Sequence, residues 1–88
     1  MTSKQRASLK KIAQSKQAAF QIGKNAISPE LVQAIDDYLE VHEIIKINVL
    51  NNCEENAKNL ADTISGRTRS RIVQIIGKKI ILYRQRTC

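Results

Sequence analysis

Apolar residues recur three and four positions apart in three segments of the chain, which is the spacing of one face of an α-helix. The predicted helices cover residues 2–16, 28–43 and 54–65. The second has the clearest start, because Ser28 is a typical N-cap and Pro29 suits the first turn. Gly66 is expected at the position that ends the third helix.

Alternating or β-branched apolar residues predict four strands, over residues 18–22, 45–50, 71–76 and 79–84. Gly77-Lys78 separates the last two strands and predicts a hairpin with a tight turn. Strands that alternate with helices favour a partly parallel sheet, to which the hairpin adds an antiparallel strand. We therefore predict an α/β (α+β) fold of order α-β-α-β-α-β-β in a single domain of residues 1–88.

Charge is sorted along the chain. Residues 1–29 hold six basic and no acidic residues, and residues 63–88 hold seven basic and no acidic residues. All 8 acidic residues lie between Glu30 and Asp62, and the formal net charge is +7. If both ends meet in space, one surface is strongly positive and suits a polyanion. We expect them to meet beside the amino end of the second helix. Charges that serve only to keep a surface soluble are usually of mixed sign, so this sorting of charge favours the binding of a polyanion.

Three basic groups are candidates for that binding surface. The loop Gly23-Lys24-Asn25-Ala26 precedes the second helix, whose first N–H groups suit a phosphate. If residues 67–71 are extended, their three arginines point to one side. The predicted polyanion-binding residues are Gly23, Lys24, Asn25, Ala26, Lys4, Lys11, Arg67, Arg69, Arg71, Lys78 and Lys79. Each group alone is typical of solvated loop charge, but together and without neighbouring acids they favour a composite face.

The residues that could serve catalysis are poorly arranged for it. His42, the only histidine, falls on the apolar stripe of the second helix, and no serine or cysteine can be assigned to it. Asp36 and Asp37 are adjacent on a helix and point in different directions, and with Glu40 they are expected to face water. We therefore expect a binding protein, not an enzyme.

The sequence also bounds cofactors and location. Cys53 and Cys88 make neither a metal quartet nor a disulfide framework, so we expect two reduced thiols, no metal ion and no cofactor. No apolar stretch is long enough to span a bilayer, and no apolar segment follows the basic N-terminus as in a signal peptide. We expect a cytoplasmic protein with no membrane partner.

Four segments resemble the CRM domain, the YhbY-like family of RNA-binding proteins. They are residues 20–25, 43–50, 72–77 and 80–84, and with the start at Thr2 they cover nearly the whole chain in the family's order. The resemblance implies a stand-alone bacterial-type member, a class associated with precursors of the large ribosomal subunit. It also implies a two-layer fold similar to the C-terminal domain of translation initiation factor three, with a mixed sheet of order 1-2-4-3.

The family's signature loop is Gly-x-x-Gly, and here Ala26 stands in place of the second glycine. A left-handed backbone at that position would cost about 1 kcal/mol or more. The resemblance implies a monomer that binds ribosomal RNA in the pre-50S particle, with ribosomal proteins as further partners, and assists ribosome assembly. The alternative is a basic adaptor domain that binds an acidic protein partner.

Overall fold

The computed structural model describes residues 2–14, 17–23, 27–51 and 56–85. These residues form three helices and four strands in the predicted order. The elements are α1 (Ser3–Gln14), β1 (Phe20–Ile22), α2 (Pro29–His42), β2 (Ile44–Val49), α3 (Ala57–Thr68), β3 (Arg71–Ile76) and β4 (Lys79–Tyr83).

The strands form one mixed sheet of order β1-β2-β4-β3, as the family resemblance implied. β1 pairs with β2 in parallel, and β4 is antiparallel to both β2 and β3. Ile22 lies beside Val49 where β1 and β2 end, and we call this end of the strands, with the Gly77-Lys78 turn, the loop end. At the opposite end of the strands Tyr83 lies beside Ile44 and Arg71, and we call it the arginine end.

The alternation of side chains along the strands divides the core in two. In β2, Ile45, Ile47 and Val49 join the cluster formed by α2 and α3, whereas Ile44 joins a smaller cluster around Ala13 of α1. Helices therefore cover both faces of the sheet. The predicted two layers hold for the sheet with α2 and α3, but α1 adds a third element on the other face, because β2 and β4 carry apolar residues there too.

The start of α2 forms as its sequence predicts. The Ser28 hydroxyl accepts a hydrogen bond from the Leu31 N–H at 3.1 Å, and Pro29 is the first helical residue. This cap satisfies an N–H that the helix itself leaves unpaired. The amino end of α2 is thereby fixed at the loop end of the sheet.

The bounds predicted for α3 are wrong at both ends. The helix begins at Ala57, where the Asn56 side chain caps it, and it continues through Gly66 to Thr68. Thr68 keeps the last turn helical because its side chain is fully buried and its hydroxyl donates to the Ile64 carbonyl at 2.8 Å. Glu54 and Glu55, expected at the helix start, lie outside the described residues.

Helix α1 opens with the predicted capping box, in which the Thr2 and Gln5 side chains each accept a hydrogen bond from the other's backbone N–H at 3.1 Å. Of its predicted apolar stripe, Ala13 is buried and Leu9 is half-buried, but Ile12 is 47% exposed. The expectation for Ile12 is thus wrong, because α1 meets the sheet through a narrower stripe than its sequence offers.

Arg84, the residue after β4, forms hydrogen bonds that join α2 and the carboxyl end of α3 to the sheet. Its guanidinium donates to the Asp36 carboxylate at 2.5 Å, to the Glu40 carboxylate at 2.9 Å and to the carbonyls of Thr68 and Asp36 at 2.8 and 2.9 Å. The side chain is only 16% exposed. Asp36 and Glu40 therefore do not simply face water as expected, since both are ion-paired.

We expect Arg84→Ala to lower the free energy of unfolding by about 2 kcal/mol or more, because it leaves a half-buried carboxylate and two carbonyls without their donor. Arg84→Lys keeps the charge but loses the planar fork, so its loss should be smaller. Urea unfolding measures both, with the exposed Lys58→Ala as control. An Arg84→Ala variant as stable as the control would contradict the role given to this side chain.

Candidate nucleic-acid interface

The sheet face that α1 covers is strongly basic. Lys46, Arg71 and Lys79 lie on it, because they alternate with residues of the α2–α3 core and share the face of Ile44 and Ile81. We call this face, together with α1, the α1-side surface. Within the described chain its cationic residues are Lys4, Arg6, Lys10, Lys11, Lys46, Arg71 and Lys79.

The acidic residues that the structure describes are elsewhere. Those on α2 are Glu30, Asp36, Asp37 and Glu40, and Asp62 lies on α3. Glu43 is the C-cap of α2, and its carboxylate lies 3.5 Å from the Tyr83 hydroxyl. Five of the six described acidic residues therefore lie on α2 or α3, across the sheet from α1. Glu43 is the exception, because its partner Tyr83 lies on the α1 face.

The loop end holds the first predicted group of binding residues. Gly23 is half-buried directly after β1, and Lys24, Asn25 and Ala26 lie outside the described residues. Lys78 is in the hairpin turn, where its ammonium donates to the Asn51 side-chain oxygen at 2.8 Å. Because β2 alone lies between β1 and β4, this turn is about 10 Å from the end of β1. The structure thus brings Gly23, Lys78 and Lys79 to the loop end of the sheet.

The arginine end holds the second group, but not in the extended form that we expected. Arg67 is in the last turn of α3, Arg69 is its C-cap with a left-handed φ of 56°, and Arg71 starts β3. The expectation of an extended 67–71 segment is wrong because burial of Thr68 keeps the chain helical that far. All three arginines are exposed.

A groove of about 1080 Å³ joins these arginines to the amino end of α1. Its cationic lining comes from Lys4, Arg67, Arg69, Arg71 and Arg84, and its acidic lining from Asp36 and Glu40. Since Arg84 occupies both carboxylates, the other four cations face the groove without an ion pair among the described residues. The chemistry of the groove suits an anion.

The two groups do not form the single patch that we expected beside the amino end of α2. β3 runs from Arg71 to Ile76, so its length separates the arginine end from the loop end by about 17 Å. Arg67, Arg69, Arg71 and Lys4 lie near the carboxyl ends of α2 and α3 instead. The binding role of both groups stays a prediction, but their arrangement is bipartite.

Two of the three aromatic residues lie away from this surface, whereas Tyr83 lines the groove. Phe20 and Tyr38 meet edge to face at 5.7 Å between ring centroids, and His42 stacks on Tyr38 at 4.2 Å. His42 is the last residue of α2 and is exposed, although it lies on the same side of the helix as Tyr38. The half-buried Phe20 and Tyr38 pack against the α2–α3 core, which leaves cations as the main contacts that the α1-side surface offers.

Among the described residues, no three histidine, cysteine or acidic side chains lie close enough to hold a metal ion. The helices they form are too short or too polar for any of them to cross a membrane.

Sequence reasoning missed Lys46 as a member of this surface. The side chain is half-buried, and its ammonium lies 3.5 Å from the Ala13 carbonyl at the end of α1. The signal was the alternation of β2, which places Lys46 opposite the buried Ile45 and Ile47. It was overlooked because Lys46 stands in the acidic third of the sequence.

Comparison with known proteins decides the family. Residues 1–84 match the family model of the CRS1/YhbY (CRM) domain. The chain belongs to this family. Its CRM relatives include the probable RNA-binding protein YqeI of Bacillus subtilis, which is 36% identical over 97% of this chain and 88% of its own length. An RNA-binding protein of Haemophilus influenzae is 29% identical over 96% of this chain and 85% of its own length.

A solved CRM-family neighbour supports the fold. The solution structure of SAV1595 from Staphylococcus aureus, described as a candidate RNA-binding protein, superposes with a TM-score of 0.82. The two chains are 42% identical, and the match covers 99% of this chain and 91% of that one. The α+β class and the four-stranded mixed sheet predicted from the sequence are therefore confirmed.

We expect Arg69→Gly to raise the free energy of unfolding by about 0.5–1 kcal/mol. Arg69 is held at positive φ, where glycine avoids the clash of a Cβ atom with the backbone. Thermal unfolding measures the change, and the exposed helical Arg67→Gly serves as the opposite control, since it should destabilise. A stability loss in Arg69→Gly would mean that the Arg69 side chain itself supports the fold.

Proposed function

We propose that this protein binds RNA through the α1-side surface and the basic groups at its two ends. The observation that carries the proposal is the separation of charge by the sheet: the described acidic residues lie on α2, on α3 or at the C-cap of α2. A surface with this excess of Lys and Arg attracts a phosphate backbone. The names of the relatives, which describe RNA-binding proteins, agree with it.

The contacts go mainly to phosphate and sugar. Arginine offers a planar fork of donors and lysine a mobile charge, and both suit phosphate oxygens. The rings of Phe20 and Tyr38 are half-buried against the α2–α3 core, so stacking of successive bases has little support. RNA shape rather than base sequence is then what the protein reads.

We further propose that the bound RNA is ribosomal RNA in a precursor of the large subunit, where the protein assists assembly as a non-catalytic monomer. The family resemblance supports this step. The loop from Gly23 to Ala26, beside the amino end of α2, then contributes phosphate contacts at the loop end. Binding to an acidic protein partner is the outcome that would replace this proposal, and competition between that partner and RNA would reveal it.

We expect the affinity for single-stranded RNA to fall steeply with salt. If about five phosphates are neutralised, the logarithm of the association constant should fall with the logarithm of salt concentration with a slope of about −3.5. Fluorescence anisotropy over a salt series measures this slope. A slope near zero would mean that the contacts are not to the phosphate backbone.

We expect Lys24→Glu and Arg69→Glu each to weaken RNA binding by roughly tenfold, because each reverses a charge in one of the two basic groups. Neither should unfold the domain, which circular dichroism checks. The matched control is Lys58→Glu, an equal charge change at an exposed position of α3. If both variants bind as Lys58→Glu does, the proposed surface is wrong.

The identity of the RNA is tested in cells. Cross-linking followed by sequencing of the bound RNA should recover large-subunit ribosomal RNA from wild-type protein, and less of it from Lys24→Glu. Recovery of unrelated RNA would retain RNA binding but exclude the proposed ribosomal target.

A further inference from the structure

The groove at the arginine end is a candidate binding site that lies apart from the loop end. Its walls come from the amino end of α1, the carboxyl end of α3 and the start of β3. The sheet separates it from the Gly77-Lys78 turn by about 17 Å along β3. A single phosphate cannot contact both ends.

Ion pairing within the groove leaves a defined set of cations available. Asp36 and Glu40 would lower the local positive charge, but both accept from the guanidinium of Arg84. The same groove is lined by Lys4, Arg67 and Arg71, which are exposed. Their side chains make no hydrogen bond or ion pair among the described residues. Arg84 offsets one of the two carboxylate charges, so the groove, with five cationic and two acidic lining residues, keeps a net charge of +3.

The shape of the groove suits more than a small ion. Its volume of about 1080 Å³ is at the upper end of the range of about 300–1,000 Å³ for small-molecule sites. Leu9 and Tyr83 line it beside the cations, so apolar surface is available next to the charge. A nucleotide, with its apolar base faces and anionic phosphate, combines the same two properties.

The α1-side surface connects this groove with the loop end. Arg71 lies at the groove, Lys46 lies in the middle of the sheet and Lys79 lies at the loop end, all on the same face. Cations thus occur along the whole length of the sheet, and the acidic residues of α2 and α3 lie on the opposite side. Lys46 is half-buried beside the Ala13 carbonyl, so the positive charge that an anionic chain meets lies at the two ends of the sheet and on α1.

We propose that the groove and the loop end bind two separate segments of one RNA strand at the same time. This inference rests on the proposed function and adds a ligand requirement to it. At about 3.4 Å per nucleotide in a stacked strand, a span of about 17 Å takes five nucleotide steps, or about six nucleotides. A shorter RNA contacts only one of the two ends, whereas a longer RNA contacts both and binds with higher affinity.

The test compares two single-stranded oligoribonucleotides of the same base composition, with about 4 and about 12 nucleotides, which bracket the span. The full chain is titrated as wild type, as the groove variant Arg67→Glu/Arg71→Glu and as the loop-end variant Lys78→Glu/Lys79→Glu. Lys58→Glu lowers the net charge by two, which matches Arg67→Gln/Arg71→Gln and half of the change in each charge-reversed double variant. The neutral variant Arg67→Gln/Arg71→Gln keeps the test valid if charge reversal disturbs folding.

We expect wild type to bind the longer RNA at least tenfold more tightly than the shorter one, and either double variant to lose most of that gain. For the shorter RNA, the affinity of each double variant should fall by about twofold, because the unchanged end of the sheet still binds it. Equal affinity of wild type for both lengths, or a groove variant that binds the longer RNA as Lys58→Glu does, would overturn the bipartite site while leaving RNA binding intact. If wild type binds neither RNA, the proposed function is wrong and this inference with it.

Discussion

The alternation of side chains in the two central strands is the constraint on which the molecule depends. In β2, Ile45, Ile47 and Val49 point into the α2–α3 core, and Lys46 points to the opposite face. A shift of register by one residue would bury the lysine and expose the isoleucines. The apolar core and the basic surface are therefore two consequences of a single pairing, and neither can be changed alone.

This pairing also explains why a chain of +7 net charge has most of its carboxylates on the side of the sheet opposite to α1. Helices α2 and α3 carry most of the acidic residues, and their apolar faces hold them on one side of the sheet. Arg84, just after β4, then pairs with Asp36 and Glu40. A cation placed on the acidic side thus stabilises the fold.

The two functional proposals differ in what they require of the geometry. Attraction of RNA needs only a field of positive charge, which α1 and its sheet face supply. Simultaneous contact at two ends needs the rigid distance that β3 and β4 fix between Arg71 and Lys79. Arg69 has a left-handed backbone conformation that glycine would adopt with less strain.

Much of the fold followed from local pattern. The Ser28 cap, the strand alternation and the Gly77 turn act over a few residues, so the sequence predicted the element order correctly. The end of α3 was wrong, because burial of Thr68 against distant residues extends the helix past Gly66. The role of Asp36 was wrong for a similar reason, since its partner Arg84 is 48 positions away.

The sequence by itself determined which residues are basic, which strands alternate and which family the chain resembles, because these properties depend on neighbours along the chain. Only the tertiary structure decided where the charges meet. The pairing of β3 with β4 places Arg71 at one end of the strands and the Gly77-Lys78 turn at the other. The basic groups that the sequence suggested as one patch are therefore held apart, since a strand keeps its two ends at a fixed distance.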